Sequence, residues 1–162
     1  MARDLLALSQ RVGAALIERR LRVCAAESCT GGLILSTLTD CAGSSAYVEG
    51  GVVSYSNKAK MRLLGVREET LIAKGAVSEE AAAEMAQGAL AQYGADYALS
   101  VTGIAGPGGG TSEKPVGLTY IGLAGPDGYL QVARQVWDGD RIGNKLASVE
   151  AALAMLLAAL EA

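Results

Sequence analysis

The sequence predicts an α/β fold: a three-layer α/β/α arrangement with a mostly parallel, mixed sheet and a C-terminal antiparallel hairpin. Three observations predict it. Segments with apolar residues at helical spacing alternate with short continuous apolar runs, the pattern of helices interleaved with buried strands. Two late β-rich runs, 116–124 and 129–137, flank Gly125-Pro126-Asp127-Gly128, a strong turn signal between antiparallel strands. No repeat, linker-like stretch or shift in composition divides the 162 residues, so one domain over 1–162 is expected.

The elements follow in order. Leu5, Leu8, Val12, Ala15 and Leu16 recur at helical spacing and predict a first helix over about 4–20. Val23 to Ala26 is a short apolar strand ending at Ser28. Thr30-Gly31-Gly32 then opens a helix to about Asp40, with Leu33, Ile34 and Leu38 as candidate buried positions. Residues 41–45 read as a loop and 51–55 as a second strand. Asn57 is expected to cap a short helix that runs through Leu64 and stops at Gly65. Ser78 with Glu79 and Glu80 starts another helix, whose inner face carries Ala82, Met85, Ala86, Ala89 and Tyr93. Residues 96–101 form a third strand leading into Thr102-Gly103. After the hairpin, Asp140 opens a last helix with a core stripe of Leu146, Val149, Leu153, Leu156, Leu157 and Leu160.

Composition excludes several function classes. Hydrophobic residues make up 51% and charged residues 19%, a globular balance. The net charge is -3 with no run of lysines and arginines, and the aromatics are six Tyr, one Trp and no Phe, so no nucleic-acid partner is expected. Cys24, Cys29 and Cys41 show no CxxC spacing, which predicts free thiols, no metal site and a cytoplasmic location. The longest apolar run, Ala151 to Leu160, is too short for a bilayer span, and the N-terminus lacks the regions of a signal peptide, so no membrane partner is expected. There is no histidine at all. Proton transfer at neutral pH must therefore use Lys, Asp, Glu, Tyr, Cys or water, and a serine nucleophile would need a lysine-type base.

Three features fall at the carboxyl ends of predicted strands, where open parallel sheets bind ligands: Ser28, Tyr55-Ser56-Asn57 and Thr102-Gly103. Ser28 is a candidate nucleophile, with the amides of Thr30, Gly31 and Gly32 as an oxyanion hole or phosphate nest; equally, Ser28 or Thr30 caps the next helix. Cys29 is the rival nucleophile, set against the ordinary reading of a buried free thiol. Lys58 and Lys60 follow the second strand. Either serves as base only if burial or a second cation lowers its pKa, and the bland alternative is two solvated lysines. The segment 103–110, with five glycines in eight residues, includes Gly103, Ile104, Ala105 and Gly106, and lets backbone approach a ligand closely. Its bland alternative is a surface turn. Thr102 has a hydroxyl to donate to nucleophile or substrate. Arg141 and Lys145 share one face of the last helix and suit a phosphate, or else form a solvated first turn.

Several motifs together carry a family resemblance. They are Ala-Glu-Ser-Cys-Thr-Gly-Gly at 26–32, Ala-Gly-Ser-Ser at 42–45, Tyr-Ser-Asn-x-Ala-Lys at 55–60, Leu-Leu-Gly-Val at 63–66, Gly-Ala-Val-Ser at 75–78, Thr-Gly-Ile-Ala-Gly-Pro at 102–107, Glu-Lys-Pro-Val-Gly at 113–117 and Gly-Asp-Arg at 139–141. In this order, and over nearly the whole chain, they resemble the CinA C-terminal domain family, which includes a nicotinamide-nucleotide amidase. The resemblance implies hydrolysis of the carboxamide of nicotinamide mononucleotide to nicotinic acid mononucleotide and ammonia, without cofactor or metal. It implies Ser28 as nucleophile, Lys60 as base, and Tyr55 and Thr102 as hydrogen-bonding assistants. The glycine turns and Arg141 would hold the nucleotide. A mixed-sheet α/β/α fold and a homodimer are implied as well. Two departures stand out: Lys58 replaces an acidic residue common at its position, and Lys145 stands where arginine is commoner. The competing expectations are a non-catalytic nucleotide-binding module using the same glycine turns, and an amidase for another small carboxamide.

Overall fold

Five strands form one open mixed sheet in the order β2-β1-β3-β4-β5. The computed structural model describes residues 2–162. The strands are β1 (Val23–Glu27), β2 (Val48–Val53), β3 (Tyr97–Gly103), β4 (Leu118–Ala124) and β5 (Leu130–Val136), and the helices are α1 (Ala2–Arg19), α2 (Leu33–Thr39), α3 (Asn57–Leu64), α4 (Glu68–Lys74), α5 (Glu79–Tyr93) and α6 (Arg141–Glu161). Strand β1 pairs in parallel with β2 and β3, while β4 runs antiparallel to both β3 and β5, so β4 alone points the other way. The α/β/α expectation and the C-terminal hairpin are both met.

Alternation along β1 divides the core. Val23 and Ala25 face a layer made by Val12 and Leu16 of α1, Ile34 and Leu38 of α2, and Leu153 and Leu156 of α6. Cys24 and Ala26 face the opposite layer, with Leu64 of α3, Leu71 of α4, and Met85, Ala86 and Ala89 of α5. Every residue of β1 is buried, as befits a central parallel strand covered on both sides. Helix α6 is long and apolar enough to cross a bilayer by length and composition alone. Here its Val149, Leu153, Leu156 and Leu160 are buried in the core, while Leu146 is only half-buried.

Several boundaries differ from expectation for identifiable reasons. Strand β2 lies at Val48–Val53 rather than 51–55, because its pairing ends where Glu27 meets Val53. Beyond that point the Ser54 amide turns back to the Glu27 carbonyl at 2.7 Å. Ser56, not Asn57, caps α3: its hydroxyl accepts the Ala59 amide at 3.0 Å, and Asn57 is the first helical residue. Gly31 and Gly32 have φ of 62° and 101°, so they form a left-handed turn before α2 rather than its first residues. Helix α4 was not expected; Glu68 and Glu69 occupy its first turn and Lys74 its last, complementing the helix dipole. Tyr93 is half-buried.

Candidate active site

Ser28 follows the last residue of β1, and Lys60 lies one turn into α3, which begins just past the end of the neighbouring β2. Parallel pairing brings these two strand ends together, and the Lys60 Nζ lies 2.9 Å from the Ser28 Oγ. The amine also donates to the carbonyls of Ser54 at 2.7 Å and Tyr55 at 3.1 Å. Those two carbonyls can only accept. In the neutral amine they take its two protons, so its lone pair is left for the serine hydroxyl. Lys60 is 1% exposed, and burial pulls its pKa down to about 8, with Cys29 opposing the shift. Lys58 is exposed on α3 and has no place in this arrangement. The two lysines are separated by helical geometry alone.

Cys29 is buried beside Ser28. Burial pushes its thiol up to about 11; its own amide, Lys60 and Lys145 pull the other way, and Glu27 adds to the rise. Held as a thiol at neutral pH, it is a weaker nucleophile than a thiolate would be.

A cavity of about 280 Å³ opens over this pair, lined by Ser28, Cys29, Lys60, Thr102, Arg141 and residues 103–106 and 108–109 of the glycine-rich segment. Ile104, Ala105 and Gly106 lie on that wall, so this segment is part of the site and not a detached turn. Thr102 lines the cavity too, but its hydroxyl donates to the Ala76 carbonyl at 2.8 Å and not to Ser28. It thereby pins the lip formed by Ala76 and Val77. Tyr55 is 64% exposed beside the cavity, and its backbone carbonyl, not its hydroxyl, touches Lys60. Arg141 donates to the Gly106 carbonyl at 2.7 Å and reaches the Tyr55 hydroxyl at 3.5 Å. Lys145, one turn further along α6, is half-buried and lies outside the cavity lining, its Nζ 3.6 Å from where a Cβ on Gly31 would stand. Asn57 is exposed and lies outside the cavity lining.

The turn after β1 departs most from the sequence reading. The Gly31 amide donates to the Ser28 carbonyl at 3.1 Å, and the Gly32 amide to the Glu27 carboxylate at 3.2 Å. Neither is left for a phosphate or an oxyanion. Neither Ser28 nor Thr30 caps α2; Glu27 binds its N-terminal amides instead. Among the described residues, no backbone or carboxylate oxygen takes the amides of Cys29 and Thr30. Glu27 was missed in the sequence, although an acidic residue closing an apolar strand must find buried partners. Asn144 was missed as well. It is 2% exposed, donates to the Ala105 carbonyl at 2.9 Å and accepts the Gly139 amide at 3.0 Å, tying α6 to the cavity wall.

The family model described as CinA C-terminal domain matches residues 5–160. The chain belongs to the CinA C-terminal domain family. This CinA domain is 56% identical over 134 residues to the Enterobacter agglomerans protein named nicotinamide-nucleotide amidohydrolase PncC, covering 83% of this chain and 82% of that one. It is 52% identical over 138 residues to the Escherichia coli K12 protein of the same name, covering 85% and 84%. A CinA-like protein of Chlorobaculum tepidum is 57% identical over 150 residues, which are 90% of this chain and 36% of that one. The domain thus spans about a third of the CinA-like relative, but most of the length of the two amidohydrolases. The crystal structure of competence/damage inducible protein CihA from Agrobacterium tumefaciens superposes with a TM-score of 0.94 at 46% identity, covering 98% of this chain and 96% of that one.

Proposed function

We propose that this CinA domain hydrolyses the carboxamide of nicotinamide mononucleotide to nicotinic acid mononucleotide and ammonia through a Ser28 acyl-enzyme. The 2.9 Å contact between a buried, easily deprotonated Lys60 and the Ser28 hydroxyl carries this reading. Neutral Lys60 takes the Ser28 proton as Oγ attacks the amide carbon. The carbonyl oxygen gains negative charge, and the amides of Cys29 and Thr30 are the donors left to receive it. The C–N bond breaks as Lys60 returns the proton to the departing nitrogen, releasing ammonia. Water then adds to the ester with Lys60 again as base, and the acid leaves with Ser28 restored. The names of the two amidohydrolase relatives support the choice of substrate.

Arg141 and Lys145 supply positive charge for the substrate phosphate, Lys145 as a point charge without a guanidinium fork. A second hollow of about 460 Å³ shares Ala105 and Arg141 with the cavity and gives room for the ribosyl phosphate. The reading includes no cofactor or metal, no nucleic-acid or membrane partner, one catalytic unit acting as a homodimer, and a cytoplasmic setting. Ser28→Ala and Lys60→Ala are each expected to lower ammonia release from nicotinamide mononucleotide by at least about 10³-fold while the far-ultraviolet spectrum stays unchanged. Near wild-type release by either variant defeats the mechanism. Tight binding of the nucleotide by the wild type without turnover at any pH favours a binding module instead.

A further inference from the structure

Glu27 is a fully buried carboxylate that the acyl-transfer steps do not use. Its Oε1 accepts the Thr30 hydroxyl at 2.7 Å, the Gly32 amide at 3.2 Å and the Ile34 amide at 2.9 Å; its Oε2 accepts the Leu35 amide at 3.1 Å. Among the described residues, no lysine or arginine forms an ion pair with it. A carboxyl group buried without a counter-ion needs hydrogen bonds in place of its water, and four donors supply them here. A helix start does not require this arrangement, since a short hydroxyl or amide cap serves most of them, as Ser56 and Ser78 do in this chain.

The position of the carboxylate explains what it adds. In the turn after β1, the Ser28 amide goes to Val101, Gly31 to Ser28 and Leu33 to Thr30. Glu27 takes Gly32, Ile34 and Leu35, and only Cys29 and Thr30 remain unclaimed by an oxygen. Its main chain faces the other half of the dyad. The Glu27 carbonyl accepts the Ser54 amide at 2.7 Å and the Ser54 hydroxyl at 3.2 Å, and the Ser54 carbonyl in turn accepts a Lys60 proton. One residue therefore joins the turn that bears the nucleophile to the peptide that orients the base.

We infer that Glu27 is a positioning residue for acyl transfer, its carboxylate holding the 28–35 turn so that Ser28 stays against Lys60 and the Cys29 and Thr30 amides stay unclaimed by internal oxygens, free for the developing oxyanion. This inference rests on the amide-hydrolysis reading above. Glu27→Gln keeps the side chain's size and one accepting oxygen but sets an amide donor against the Leu35 amide. Thr30→Val removes a single donor from the cluster and keeps the shape.

The test compares wild type, Glu27→Gln and Thr30→Val in ammonia release from nicotinamide mononucleotide across substrate concentration and pH. Glu27→Gln is expected to lower kcat about 10²-fold, the scale of losing one oxyanion donor, with KM within about threefold and the pH midpoint unmoved. Thr30→Val is expected to lower kcat roughly three- to tenfold in the same pattern. A folded Glu27→Gln with kcat within about threefold of wild type overturns the inference, as does a loss confined to KM. If Glu27→Gln does not fold, an unchanged kcat in Thr30→Val overturns it. A wild type that releases no ammonia defeats the amidase reading instead. The turn is then read by reaction with a fluorophosphonate, in which the Ser28 oxygen bonds to phosphorus, fluoride leaves and the serine proton passes to Lys60. That rate is expected to fall at least about tenfold in Glu27→Gln, and an unchanged rate overturns the positioning role.

Discussion

Lys60 shows how one side chain acquires a chemistry that its type does not ordinarily have. An amine that holds its proton to about 10.4 in water is a poor base at neutral pH. Here burial lowers that value to about 8, and two carbonyls hold its protons away from Ser28. The proposed mechanism uses the neutral form as base, so kcat/KM is expected to rise about tenfold per pH unit below 8 and to level off above about 9. A rate that falls with rising pH between 6 and 9 contradicts the assignment. Cys29 sits next to Ser28, the proposed nucleophile, and burial pushes its thiol up to about 11. Cys29→Ala is therefore expected to keep turnover within roughly threefold of wild type, measured as ammonia release, because it leaves the residue's amide in place. A folded but inactive variant would return the thiol to consideration.

At the scale of elements, the site depends on how closely α3 and α5 approach. Gly88 lies inside α5, where glycine lowers helix stability by about 0.5–1 kcal/mol relative to alanine. A Cβ at that position would stand 1.9 Å from the Leu64 carbonyl oxygen of α3. The missing side chain lets the two helices touch, and α3 carries Lys60. Gly88→Ala is expected to destabilise by roughly 1–3 kcal/mol despite its better helix propensity, lowering Tm by about 2–12 °C. It is also expected to reduce ammonia release, since α3 must move. Calorimetry checks the first effect, and a raised Tm would show that the helices tolerate separation. The same close packing recurs where the Ser100 hydroxyl reaches the Ala82 carbonyl of α5 at 2.6 Å.

For the whole molecule, burying Lys60 against Ser28 is a stability cost with a definite pH signature. The unfolded chain binds the Lys60 proton up to about 10.5, the folded chain only to about 8. Below 8 both states hold the proton, and the folded state carries the full penalty of a buried cation. Between 8 and 10.5 the unfolded state binds more protons, so stability rises with pH. The gain over that window is roughly 3 kcal/mol. Urea unfolding of wild type and Lys60→Met at pH 7 and pH 10 is expected to show the wild type gaining on the variant by an amount of that order. A difference that is flat across the window would mean that Lys60 stays protonated when folded.

Much of this protein was legible in the sequence because it is written in local signals. Helical periodicity in 5–16, the Gly-Pro-Asp-Gly turn, the Ser78 cap and the apolar run at 23–26 each follow from residues close in the chain. The motifs likewise singled out Ser28, Lys60 and the segment 103–106. The missed helix α4 has only seven residues, too short for a clear period. The displaced strand β2 ends where its partner ends, which no local pattern encodes. The burial of Lys60 rather than Lys58 against Ser28, the upward shift of the Cys29 thiol, and the loss of the Gly31 and Gly32 amides to internal partners come from tertiary structure alone. Burial and hydrogen-bond pairing are relations between residues distant in sequence: Lys60 and Ser28 are 32 positions apart yet 2.9 Å from each other. Residue type alone says which groups have the capacity for chemistry. Only the packed sheet determines which of them lose their water and which partner replaces it.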